Sequence, residues 1–478
     1  MQFVSYRREL ASSAFDRPRR LLGLVLLVLG LASAARVRAQ SPPPRPDSTA
    51  RDSAAARLSP DSLAARLERA EAAVELLRRQ LATEASSAVH TRSRLQVELW
   101  AQILINGFAS QGTPNSADVP TFATREQATP AGANQPATRA LGMSLRQSRV
   151  GMSVAVDSVL GATFAADVEL DFFAGGAGGS TAQYLFPQPR LRTARFTLRW
   201  PRTELLIGSE TPLISGLSPV SVASVGIPGF ADAGNLWYWL PQLRITREIG
   251  TTSVGATSLH WALQGAILDP YSGAMQVNEE YGVDAGERSA RPYLESRLRV
   301  RWGPDETEVA AGAGRSDAGG EVGVGVHHGW IQLSGDTLTT NEAVSVEARI
   351  GLHHGLELRG EAYRGRALAG LGGGGIGQNF GAPAAGAQFG PPLRDTGGWM
   401  QLNWRANPTL ITGAGCGIDA ADVNDRPVRQ RNESCAAHLE WRPVQPLLFG
   451  VEFRRLRTTY ATGVASGSQI NLVFGVEL

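Results

Sequence analysis

The chain ends on Gln469-Ile470-Asn471-Leu472-Val473-Phe474-Gly475-Val476-Glu477-Leu478. Ile470, Leu472, Phe474, Val476 and Leu478 share one parity; Gln469, Asn471 and Glu477 share the other. Successive side chains of a strand point to opposite faces, so this segment is a ribbon with one apolar and one polar side. It reaches the last residue without a polar tail. Such a ribbon needs apolar surroundings on one side and a paired edge along its length, and a strand of a closed barrel in lipid meets both needs.

The same period of two recurs along the chain from Leu95. It predicts strands at 95–106, 141–156, 161–173, 189–200, 203–210, 241–249, 253–267 and 292–302. Further strands are predicted at 306–316, 343–352, 356–366, 397–406, 409–419, 431–442, 447–459 and 468–478, sixteen in all. The segment 317–342 is assigned to a long loop, with Glu321 to Leu333 as an alternative strand pair that would make eighteen. Asp157 to Leu160, Pro201-Arg202, Gly303 to Asp305, His353 to Gly355, Asn407-Pro408 and Pro443 to Pro446 read as tight turns. Residues 107–140, 174–188, 211–240, 268–291, 367–396 and 420–430 read as long loops. An even number of two-faced strands with short turns at one end and long loops at the other predicts an all-β, antiparallel transmembrane barrel over 95–478. Closing the last strand on the first leaves no open edge in lipid.

The N-terminal part fits export. Arg7, Arg8, Arg17, Arg19 and Arg20 precede an apolar run from Leu21 to Ala35, and Val37-Arg38-Ala39 has the small-x-small form of a cleavage site. Residues 1–39 are therefore expected to be a signal peptide. The apolar run falls short of the roughly 20 residues a spanning helix needs, and no later stretch approaches that length. Residues 40–58, rich in Pro, Ser and Asp, read as a disordered linker. Over 59–84, Ser59-Pro60-Asp61 starts a helix, and Leu63, Leu67, Ala70, Val74, Leu77 and Leu81 form a heptad seam. This segment is expected to be a short periplasmic coiled coil, or a lone amphipathic helix against the barrel or membrane.

The net charge of +2 argues against nucleic-acid binding, and all 46 basic residues are arginine. His327-His328 and His353-His354 are isolated pairs expected in exposed turns or loops, and no metal site or cofactor is expected. Cys416 and Cys435 share outward parity on neighbouring strands, mirrored about the 420–430 loop; a disulfide between them and two free thiols both fit the pattern.

With the apolar parity facing lipid, the other parity lines the lumen. It places Arg297, Arg299 and Arg301 inward, with Arg195, Arg199, Arg244, Arg359, Asp167, Glu169 and Asp171. Asp167, Glu169 and Asp171 lie in the hairpin partner of Arg195 and Arg199, so these acids and bases either pair or meet solute. Arg297, Arg299 and Arg301 are the leading candidates for solute contact, because one neighbour cannot neutralise three like charges. Loop 211–240 contains Pro212, Pro219 and Pro228, one acid, Asp232, and the triplet Trp237-Tyr238-Trp239. It is too apolar to extend into water, and is expected to fold inward as a constriction loop. The triplet belongs either to that constriction or to an interfacial girdle.

Linker, heptad helix, sixteen strands and a long third loop after the fifth strand resemble the trimeric outer-membrane porins. The phosphate-selective porin O/P group and the coiled-coil-bearing porins for dicarboxylates are the most similar groups. Leu205-Leu206-Ile207-Gly208-Ser209, Leu358-Arg359-Gly360-Glu361-Ala362-Tyr363 and Gly397-Gly398-Trp399-Met400-Gln401-Leu402 carry the resemblance locally. It implies a homotrimeric passive channel for small hydrophilic solutes, with anions as a candidate class, inserted by the barrel-assembly machinery among outer-membrane lipids. Two departures stand out: the chain has no lysine, and it ends in Leu478 where Phe is usual. The competing functions are a non-conducting structural anchor or adhesin and an outer-membrane enzyme. Ser434 and His438 share inward parity, but no Gly-x-Ser-x-Gly frames a serine nucleophile.

Overall fold

Period-two segments hydrogen-bond to their sequence neighbours around a ring until the last meets the first. The computed structural model describes residues 95–125, 139–174, 187–255, 257–273, 283–303, 319–333, 337–387 and 389–478. All lie in one compact unit, Arg78–Leu478. The expected signal peptide, linker and heptad helix lie outside the described residues.

The ring begins with β1 (Gln96–Gly112), β2 (Arg139–Ser144), β3 (Arg149–Val159), β4 (Ala162–Ala174), β5 (Gln188–Trp200) and β6 (Thr203–Glu210). It continues with β7 (Leu240–Val254), β8 (Thr257–Leu268), β9 (Tyr293–Trp302), β10 (Gly320–Gln332), β11 (Leu338–Gly351) and β12 (Leu356–Arg366). β13 (Arg394–Asn407), β14 (Leu410–Ala421), β15 (Arg429–Trp441), β16 (Leu447–Tyr460) and β17 (Gly463–Glu477) complete it. β17 closes antiparallel on β1, from Glu477 opposite Gln102 to Gly467 opposite Gly112. The other edge of β1 pairs with β3 at Gln96 to Gln102 and with β2 at Asn106 to Gln111. β2 and β3 thus share one position, and the seventeen strands make a sixteen-position closed barrel.

Three expectations need correction. The strand expected over 141–156 is broken at Leu145 to Ser148. There Arg146 turns to Asp118, and Gln147 turns inward to bond loop backbone, so the ladder is interrupted. The run Leu145-Arg146-Gln147-Ser148-Arg149 loses the alternation, which is the sequence signal of the break. Next, β9 pairs directly with β10, so 320–332 takes the wall position assigned to 306–316, a range outside the described residues. His327 and His328 therefore sit in a strand, not a turn: His327 is buried and bonds Glu295 at 2.9 Å. Finally, the short/long rhythm is less regular than expected. β10 and β11 are joined by 333–337 and β16 and β17 by 461–462 at the long-loop end, whereas 303–319 joins β9 and β10 at the short-turn end.

The wall is two-faced as the parity predicts. On β17, Leu472 is 60% exposed and its neighbour Asn471 is 1% exposed. Leu243, Leu298, Met400 and Phe453 are likewise exposed, while Asn106, Glu347, Gln401 and Glu452 are buried on the inner side. Exposed apolar rows around a closed sheet are stable against acyl chains, not against water. Loops supply the packed apolar core inside. Leu213, Ile214, Leu236, Leu368 and Leu371 pack on Leu268, Tyr293 and Tyr363 of the inner wall. Leu217, Phe230 and Ala233 pack on Trp399.

Candidate functional site in the barrel interior

Loop 211–239 lies inside the barrel. Irregular backbone in such a place must find partners for its N–H groups, and the inward polar parity supplies them. Glu295 of β9 accepts from the amides of Leu213 and Ile214. Glu347 of β11 accepts from Gly216 at 2.8 Å and Leu217 at 3.1 Å, and Glu361 of β12 accepts from the Ser215 hydroxyl at 2.6 Å. Gln401 of β13 both accepts from and donates to Val220, each at 2.7 Å. Glu452 of β16 takes the Ser221 hydroxyl. Gln147, in the break between β2 and β3, donates to the Ala223 carbonyl and accepts from Val225 and Gly226, all at 2.8 Å. The loop is thus tethered along the inner wall from β9 round to the β2–β3 break. Glu347, Glu361 and Glu452 lie on the inner side of the wall; the sequence reading did not foresee Gln147 or the use of these groups to seat the loop.

The arginines divide by what they meet. Arg297 is 5% exposed and engages Glu321, Glu347 and Gln264. Arg359 is also buried; it bonds Glu357 and donates to the Ser218 carbonyl at 2.9 Å. Arg359 thus holds the loop directly, and Arg297 acts on it through Glu347. Arg244 is half-buried and donates to the Thr211 carbonyl at 2.7 Å. Arg195 pairs with Asp167 at 3.0 Å and with Glu210, and exposed Arg199 pairs with Glu204 at 2.6 Å. Glu169 holds Arg149 and Arg192, and buried Asp171 holds Arg190. Arg299 and Arg301 are half-buried. The Arg299 side chain makes no hydrogen bond or ion pair with a described residue, and lies in the field of Glu321, Glu204, Arg297 and Arg301.

The aromatic triplet faces the interior. The amides of Trp237 and Tyr238 donate to the Leu371 carbonyl at 2.9 and 3.2 Å, joining loop 211–239 to loop 367–393. Trp237 packs edge-on against Tyr238 and Trp239. The Arg192 guanidinium lies 4.6 Å from the Trp239 ring and that of Arg190 5.5 Å, cation–π contacts that rigidify both partners. These residues, with Asp232 and Tyr271, line a cavity of about 570 Å³. Burial holds the Asp232 carboxyl above its usual range, opposed by a Thr121 hydrogen bond and by Arg429. Burial, then the nearby Asp232 charge, pushes the Tyr238 phenol up to about 12.

Cys416 and Cys435 stand opposite each other in the β14–β15 register and are joined by a disulfide on the outward face. Among the described residues no cluster of His, Cys, Asp or Glu is arranged to hold a metal ion.

A closed sixteen-position antiparallel barrel with a loop folded into its bore is the porin fold. The chain is similar to the outer-membrane channel DcaP of Acinetobacter baumannii, at 14% identity and TM-score 0.57, over 82% of this chain and 100% of that one. It is more loosely similar to an anion-selective porin from Comamonas acidovorans, at 10% identity, TM-score 0.48 and coverage of 80% and 100%. OmpT of Vibrio cholerae stands at 9% identity, TM-score 0.47 and coverage of 82% and 100%. At these identities the likeness speaks to fold alone. No protein-family model and no curated protein sequence matches the chain.

Proposed function

We propose that the protein is a passive diffusion channel of the bacterial outer membrane, admitting small hydrophilic solutes with a preference for anions. The observation that carries this reading is the inner wall itself. An apolar exterior encloses a bore where Arg195, Arg199, Arg244, Arg299 and Arg301 keep part of their surface accessible beside a fixed inward loop. Rings of like charge at a constriction select ions by sign. Arginine forks also suit carboxylate or phosphate solutes. The absence of lysine favours a carboxylate over a dedicated phosphate pore. A homotrimer, with its expected helical segment in the periplasm, completes the proposal. A second reading, a non-conducting anchor, draws support from the junction of loops 211–239 and 367–393 inside the barrel.

Conductance across a planar bilayer separates the two. The channel reading predicts stepwise current and a reversal potential displaced toward anions in a salt gradient. Silent insertion of folded protein would establish the anchor instead.

A further inference from the structure

The cavity of about 570 Å³ beside the aromatic triplet plays no part in the channel reading. It sits where the wall is incomplete. β6 stops at Glu210, and β5 pairs with it only from Ala194 to Trp200. Among the described residues, Gln188 to Thr193 of β5 therefore have no strand along that edge. Trp239, just before β7, stands there instead, with the Arg192 and Arg190 guanidinium groups against its ring.

Of the charged side chains that line the cavity, Arg190 and Asp232 are already engaged. Arg190 is held by Asp171 at 2.9 and 2.6 Å and by the Gly226 carbonyl at 2.7 Å. Asp232 takes a hydrogen bond from Thr121 and lies in the field of Arg429. Arg192 and Asp269 have capacity left. Arg192 shares the one carboxylate of Glu169 with Arg149, at 3.0 and 3.1 Å, and its buried Nη1 has no hydrogen-bond acceptor. The Asp269 side chain makes no hydrogen bond or ion pair with a described residue, and the charges that act on it, Glu287 and Asp284, are acids too. Its backbone amide donates to the Pro241 carbonyl at 2.8 Å, which fixes it beside β7. One cavity thus has a positive pole at Arg192 and a negative pole at Asp269.

The rest of the lining is mainly aromatic and apolar. Tyr271, whose amide donates to the Asp269 carbonyl, is 39% exposed, and its ring lies 6.1 Å from that of Tyr238. Phenol rings next to an unpaired carboxylate attract an ammonium group by ring face and by charge. A guanidinium with an unused N–H attracts a carboxylate. A volume of this size encloses one small solute.

We propose that this cavity is a binding site for zwitterionic α-amino acids with an apolar side chain. The carboxylate lies on Arg192, the ammonium on Asp269 with Tyr271 and Tyr238, and the side chain against Leu240 and Ile227. The proposal rests on the channel reading only for the way the solute arrives. An anion alone would face Asp269, a cation alone would face Arg192, and a neutral sugar would use neither pole. The opposed pair therefore favours a solute that carries both signs.

Saturation-transfer NMR on the full-length protein in detergent micelles, with empty micelles as the blank, tests this. The probes are L-phenylalanine, 3-phenylpropionate, which lacks the ammonium, 2-phenylethylamine, which lacks the carboxylate, and glucose. L-phenylalanine should bind about tenfold more tightly than either singly charged analogue, and glucose should not displace it. Asp269→Asn should erase the preference over 3-phenylpropionate alone, and Arg192→Gln the preference over 2-phenylethylamine alone; general damage to the cavity would not divide in this way. Both variants are checked for the heat-modifiable gel mobility of a folded barrel. The comparison of probes uses unaltered protein, so the proposal stays testable if a variant fails to fold. Absence of L-phenylalanine binding, equal binding of either analogue, displacement by glucose, or both preferences intact in both folded variants overturns it. No current is read, so the outcome is separate from that in the planar bilayer. Silent insertion would refute the channel and leave the binding site, and stepwise current without binding would do the reverse.

Discussion

Arg297 and Arg299 are two residues apart on one strand and share an inward parity, yet they do different work. Arg297 is enclosed by Glu347, Glu321 and Gln264, beneath a loop amide that Glu347 also holds. Replacing it with alanine leaves Glu347 a buried charge without its partner, and should destabilise the barrel by about 3 kcal/mol. The check is the unfolding midpoint in denaturant, read by gel mobility. Arg299 has no such attachment. Arg299→Gln should leave stability within about 0.5 kcal/mol. Removing one unit charge some 6 Å from a hydrated path changes the local potential by about 0.7 kcal/mol, so anion preference should fall roughly threefold. Reversal potentials in a salt gradient measure it, and an unchanged preference would remove Arg299 from the pathway.

At the scale of elements, loop 211–239 is seated by wall carboxylates and by close backbone contact. Gly234 adopts φ +98°, and a Cβ there would lie 2.3 Å from the Gly398 carbonyl oxygen of β13. Gly234→Val therefore meets both a disfavoured backbone region and a solid wall. It should unseat the loop while the barrel still closes, seen as larger and noisier single-channel steps. The connection between β14 and β15 gives a pH prediction. Arg394 donates to Asp425 through its side chain and its amide, which holds the Asp425 carboxyl below its usual range. A depressed acid stabilises the folded state above its unfolded pKa, near 4, and loses that contribution as pH falls through its lower folded value. Hydrogen exchange in 422–428 should thus be pH-insensitive from 7 to 5, after correction for intrinsic rates, and faster below about 4. Asp425→Asn should show the faster exchange at every pH.

For the whole molecule, closure is the condition on which the rest depends. β17 is bonded on both edges, to β16 and to β1. Deleting 463–477 would expose two unpaired edges in lipid, where each unmet backbone group costs several kcal/mol. The expected outcome is loss of heat-modifiable mobility and of conductance together. Conductance without β17 would mean that the wall closes in another way.

Most of the fold was legible in sequence because alternation is local: Leu472 beside Asn471, or Leu298 beside Arg297, orients a strand from its own residues. That information determined the two-faced wall and the antiparallel barrel. It failed where local pattern is ambiguous. Glu321 to Leu333 alternates with glycine, which has no face to show, and the break at Leu145 to Ser148 depends on partners at Asp118 and in 223–226. Only the tertiary structure decided which inward charges are neutralised and that Trp237 turns into the bore. Those outcomes join residues up to several hundred positions apart, through a register that exists only once the barrel has closed.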